Sequence, residues 1–165
     1  MRRGRGRIPS AGRRLARIFW GRTPARRDWI DPVNLVLVAG GGLAALGLGW
    51  SRDVTLPLQD LAPMLVGSAL VQPALEELFF RGFLQGRLLS LCPLRRRVAG
   101  ISPANAVTTL AFGGLHLLHT PLEHALLVMM PSLAYGYLRE RFGGVALPLI
   151  QHAAHNGLLF IGFAL

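Results

Sequence analysis

The stretch PALEELFFRGF, Pro73–Phe83, places Glu76, Glu77 and Arg81 among leucines and phenylalanines in one of the most apolar regions of the chain. On a helix, neighbouring residues point about 100° apart, while residues four apart stack on one face. Glu77 and Arg81 are therefore placed to pair, and Glu76 looks elsewhere. An ionisable group inside a membrane span costs at least ~2.5–3.5 kcal/mol on insertion scales, so it usually faces a cavity or a partner. The spacing predicts two carboxylates with divided roles. Glu77 is fixed by its guanidinium, and Glu76 is left for proton transfer.

The composition around this stretch predicts a membrane protein. Hydrophobic residues make up 52% of the 165 and charged residues only 16%, with a mean hydropathy of +0.42. All 18 basic residues are arginine, and ten of them precede residue 28. A net charge of +10 would suit a nucleic-acid binder, but this basic run lacks interleaved aromatics and reads as a tail, not a folded face. No nucleic-acid partner is expected. Anionic lipid headgroups beneath a cytoplasmic Arg-rich tail explain the charge more simply. A single cysteine, Cys92, leaves no intramolecular disulfide and no CxxC metal site, and it reads as a small apolar residue at a helix end.

Residues 1–32 form the basic tail, in which RRLARIFW (13–20) suits a short interfacial helix. Residues 33–165 form the transmembrane domain. Its first span, 33–50, carries no charge. A signal peptide is the other reading of this segment, but the basic region is long and no A-x-A site follows. Gly40/Ala44 and Gly41/Ala45 give the small-xxx-small spacing that admits a neighbouring helix. Further spans begin near Leu61 and cover about 101–119, 121–138 and 143–165. The fold class expected is all-α: a polytopic transmembrane helical bundle of about five spans. That layout puts seventeen of the eighteen arginines on the tail's side and Arg52 alone on the other. The positive-inside rule then orients the chain with its N-terminus cytoplasmic and its C-terminus outside.

Two more polar clusters lie in later spans. FGGLH places Phe112 and His116 four apart, with Gly113 and Gly114 clearing space beside the imidazole. HAAHN places His152 and Asn156 on one face. A carboxylate, two imidazoles and an amide from three spans are the parts for water-assisted acyl chemistry. One group activates water, and N–H donors hold the developing oxyanion. The rival reading of the same residues is interhelical hydrogen bonding in a non-catalytic membrane protein with an immunity, transport or scaffold role. His119 and His124 fit an outer-surface position, and His155 fits packing behind the site.

EELFFRG, FGGLH and HAAHN, in this order, resemble the EExxxR, FxxxH and HxxxN motifs of the CPBP family, which comprises CAAX prenyl proteases and the Abi proteins of bacteriocin processing and immunity. The resemblance covers about 61–160. It implies an intramembrane endopeptidase acting on a membrane-anchored protein or peptide, in a bacterial inner membrane for a chain of this composition. It implies that Glu76 activates water, that Glu77 and Arg81 support it, and that His116, His152 and Asn156 hold the water or the oxyanion. No cofactor is required by this reading. Zinc is the alternative, with Glu76, His116 and His152 as its three protein ligands, although HExxH is absent. The chain departs from the family in having only one span ahead of the motifs, and small members of this kind suggest processing of C-terminal sorting tails. Straight spans would also set Glu76 and His116 at different depths, so a kink near Pro103 or Pro148 is expected.

Overall fold

The computed structural model of the chain describes residues 19–52, 56–98 and 100–165. Most of the expected interfacial helix at 13–20, seven of the ten tail arginines and part of the polar joint at 51–60 lie outside the described residues. Among the described residues the regular structure is helical, and extended pairing is limited to two isolated bridges.

A short helix α1 (Arg26–Trp29) leads into α2 (Pro32–Trp50), which starts on an Asp31 side-chain cap with proline at its first position. A long helix α3 covers 58–89, and a 3-10 turn follows at Cys92–Arg95. The last three helices are α4 (Pro103–His116), α5 (Leu122–Phe142) and α6 (Ala146–Ala164). Helices α2, α4, α5 and α6 fall on four of the expected segments, while α3 starts ahead of Leu61 and runs on to residue 89. By length and composition, α2 is the one helix among the described residues apolar enough to cross a membrane unaided. The polar side chains that lower the hydropathy of α3 to α6 are largely those that meet inside the bundle.

Pro103 opens α4 and Pro148 lies in the first turn of α6, so neither kinks a helix as expected. The irregularity falls in α3, where Leu65–Val71 and Leu78–Leu84 are widened to π geometry on either side of Gln72–Glu77. The first widening has a local cause. Pro73 has no N–H, and a proline ring clashes with the carbonyl four residues back. The N–H of Gln72 therefore bonds to Gly67, five residues back, and the carbonyl of Ser68 has no donor at Pro73. Asn156 Nδ2, from α6, donates to it at 3.1 Å. In the second widening the carbonyl of Arg81 accepts from Arg139 Nε of α5 at 3.1 Å. Each π stretch thus turns a backbone acceptor toward another helix.

Helix α2 lies against α6 at glycine. A Cβ on Gly49 would meet the Leu159 carbonyl at 2.2 Å, and one on Gly41 would meet the His155 ring at 2.5 Å. Gly40, half of one expected contact pair, faces open space. The α2–α6 seam is also clipped by buried Gln151, whose Nε2 donates to Asn34 Oδ1 at 2.8 Å. Residues ahead of α1 dock on the α5–α6 turn, with Arg22 N donating to Gly143 O at 2.7 Å and Val145 N to Trp20 O at 3.2 Å. Gly21 adopts φ +70°, and its missing Cβ is what lets the Gly143 carbonyl approach.

Candidate active site

The short α-helical segment between the two widened stretches carries Glu76 and Glu77, and they face different partners. Glu77 is fully buried. Its Oε2 lies 3.3 Å from Arg81 Nε, inside ion-pair distance but without hydrogen-bond alignment. Its Oε1 lies 2.9 Å from His152 Nδ1. Glu76 keeps 18% of its side chain exposed. Its Oε1 accepts from Gln72 Nε2 at 3.0 Å, and its Oε2 stands 3.7 Å from His152 Nε2. An ionised Glu77 can only accept, so a neutral His152 carries its proton on Nδ1. Nε2 is then an acceptor aimed at a second acceptor, the Glu76 carboxylate.

The His152 ring packs against two aromatic rings. Tyr135 stacks on it with centroids 4.8 Å apart and planes 22° apart, and Phe112 meets it edge-on at 6.2 Å. The same two aromatic rings flank the Arg81 guanidinium, at 5.2 Å for Phe112 and 5.8 Å for Tyr135. Tyr135 is fixed in turn by a 2.9 Å hydrogen bond between its hydroxyl and His155 Nδ1. His155, expected behind the site, is there.

Arg81 continues the polar interior away from Glu76. Its Nη2 donates to the Ser132 carbonyl at 2.8 Å and to Ser132 Oγ at 2.7 Å. Ser132 Oγ donates to Thr109 at 3.3 Å, and Thr109 Oγ1 donates to Asn105 Oδ1 at 3.4 Å. Asn105 Nδ2 closes the chain on the Leu133 carbonyl at 3.0 Å. Arg81, Ser132, Thr109 and Asn105 are all buried. Nothing in the sequence motifs named Ser132, Thr109, Asn105 or Tyr135. Gln72 and Gln85 were within reach, since they stand four residues from Glu76 and Arg81 respectively.

The remaining expected residues are arranged less directly. His116 tilts over Phe112 at 4.5 Å, and its Nδ1 lies 2.9 Å from the Phe112 carbonyl one turn back. It adjoins His152 through the Phe112 ring. Asn156 lies one turn along α6 from His152, with one amide hydrogen committed to Ser68. The space at Gly113 is filled by Met129 of α5 and is not left for a substrate, while Gly114 faces open space. Cys92 is exposed in the turn beyond α3, not packed at a helix end. Among the described residues no three His, Cys, Asp or Glu side chains converge to hold a metal ion. Glu76, His116 and His152 are therefore not assembled as a metal centre in this arrangement.

A protein-family profile described as type II CAAX prenyl endopeptidase, Rce1-like, matches residues 58–158. That range holds α3, α4, α5 and most of α6, with every residue of the Glu76–His152 cluster. No curated protein and no solved structure shows a match. With well over half its length matched, and with the matched segment supplying the cluster, the chain belongs to the Rce1-like family, a family of membrane-embedded endopeptidases.

Proposed function

We propose that this chain is an intramembrane peptidase of the glutamate type, hydrolysing a peptide bond near the end of a membrane-anchored protein. The observation that carries the reading is the 3.7 Å approach of Glu76 Oε2 to His152 Nε2, with Nδ1 of the same ring held at 2.9 Å by Glu77. Two facing acceptors ask for a donor with two hydrogens, and water is the smallest. Glu76 takes one proton from that water as the oxygen adds to the scissile carbonyl carbon. The carbonyl becomes an oxyanion, and Glu76 returns the proton to the amine nitrogen as the C–N bond breaks. The second amide hydrogen of Asn156 is the donor on hand for the oxyanion, and His116 stands beyond Phe112 with Nε2 uncommitted. Arg81 and Tyr135 act by positioning, one on Glu77 and the other on the imidazole plane.

In this reading α2 to α6 are about five membrane crossings in a bacterial inner membrane, N-terminus cytoplasmic, with the Arg-rich tail on anionic headgroups. Apolar side chains on the outer faces of α2 to α5 support it: Val36, Leu43, Leu70, Leu110, Leu126 and Met130 are all more than half exposed. The test compares the termini of membrane proteins by mass spectrometry in cells making the wild type or Glu76→Gln. Loss of a defined set of new termini in the variant is expected. Identical termini would overturn the reading and leave the rival, in which the same polar groups only tie helices together.

A further inference from the structure

We propose that His155 is a positioning residue for the His152 imidazole, and that α2 holds His155 in place through Gly41. The activity readout of this inference rests on the peptidase reading above, while its geometry does not. Helix α2 lies ahead of the matched segment 58–158, yet it reaches the site through one intermediary on α6 and one on α5.

A hydrogen bond at Nδ1 fixes where that nitrogen sits but lets the ring turn about the bond. For His152 the bond to Glu77 does the first, and the direction of Nε2 toward Glu76 depends on the ring plane. The plane needs a contact on the ring face. Tyr135 supplies it, stacked at 4.8 Å with planes 22° apart. Tyr135 comes from α5, so its own angle has to be set. Its hydroxyl meets His155 Nδ1 at 2.9 Å, and its ring lies 5.8 Å from the His155 ring. His155 stands three residues after His152 on α6. One tyrosine ring is thus keyed to two imidazoles of the same helix.

His155 is buried, and among the described residues its Nε2 has no hydrogen-bond partner. Packing holds that edge of the ring instead. A Cβ on Gly41 would stand 2.5 Å from Cε1 and 2.7 Å from Nε2, closer than real Cβ atoms come, so the ring edge rests on the α2 backbone. Sliding α2 cannot relieve such a clash, because the helix is pinned on both sides of Gly41. Gln151 Nε2 donates to Asn34 Oδ1 before it, and Gly49 packs on the Leu159 carbonyl after it. A side chain at position 41 displaces the His155 ring, and close packing passes that shift on to Tyr135.

Asparagine separates the two duties of His155. Its amide carries a polar atom at the place of Nδ1 and nothing at the places of Cε1 and Nε2. His155→Asn should therefore keep a partner for the Tyr135 hydroxyl while clearing the space over Gly41.

The test uses the full chain in detergent with isotope-labelled histidine. The His152 ring signals in nuclear magnetic resonance report the stacked Tyr135 through its ring current, and a melting curve reports folding. The same variants made in cells are read by the rate at which Glu76-dependent protein termini appear. Gly41→Ala should shift the His152 signals and slow the termini about 10- to 100-fold, the effect of a displacement of order 1 Å near reacting groups. Gly41→Ala/His155→Asn should return both most of the way to wild type. Gly40→Ala, which meets open space, should change neither. Tyr135→Phe keeps the stacked ring and loses only the hydroxyl bond, so it should move the same signals even where Gly41→Ala fails to fold. The proposal is overturned if folded Gly41→Ala or Tyr135→Phe leaves the His152 signals unmoved, or if His155→Asn does not suppress Gly41→Ala. Absence of any Glu76-dependent termini would end the peptidase reading instead, and the resonance result would then decide the positioning by itself.

Discussion

Glu76 and Glu77 are adjacent in sequence yet differ in what their loss should do. Glu76 touches Gln72 and faces His152 across a gap, so Glu76→Gln should leave stability within about 0.5 kcal/mol. It should lower proteolysis by about 10²- to 10⁴-fold, the usual worth of a positioned acid–base group. Glu77→Gln instead leaves Arg81 buried without its counter-charge. Breaking a buried pair in this way costs about 3–5 kcal/mol, and a melting curve in detergent will separate the two variants. Which carboxylate meets Arg81 was legible in the sequence, because four-residue spacing dictates it. What holds His152 was not legible. The i, i+4 rule relates residues on one helix, and Tyr135 reaches the imidazole from another.

The element that makes the site is α3, and the first of its two widened stretches follows from one proline. The Ser68 carbonyl lacks a helical donor because Pro73 has no N–H, and Asn156 supplies one. Asn156→Ala should therefore cost about 1 kcal/mol in the wild type. In a Pro73→Ala background the new backbone N–H can take the Ser68 carbonyl, so the same substitution should cost less. Thermal melts of the four proteins form a cycle, and a coupling of at least about 0.5 kcal/mol is expected. Absence of coupling would detach Asn156 from the proline. Helix α2 offers a second element-scale test. Gly41→Val would drive a side chain into His155, whereas Gly40→Val meets nothing. The first should destabilise by about 1–3 kcal/mol by overpacking and the second should not. Small-residue spacing identified α2 as a packing helix, but its register on α6 depends on where α6 lies.

For the whole molecule, the arginine distribution predicts sidedness, and the chain supplies its own probe. Cys92 is the single cysteine and is exposed at the basic end. A membrane-impermeant maleimide should label it in inverted vesicles and leave it unlabelled in right-side-out vesicles, and the reverse pattern would invert the proposed topology. The all-helical class, the approximate places of α2 and α4 to α6 and the pairing of Glu77 with Arg81 were determined by the sequence alone, because apolar run length, proline and four-residue spacing act locally along the chain. Only the tertiary structure decided that Glu76 faces His152, that His116 adjoins it through Phe112 and that Asn156 serves Ser68. The same holds for the buried chain of hydrogen bonds running from Arg81 through Ser132 and Thr109 to Asn105. Each of these contacts joins residues on different helices, and buried polar groups with no water to turn to select their partners only once the helices have packed.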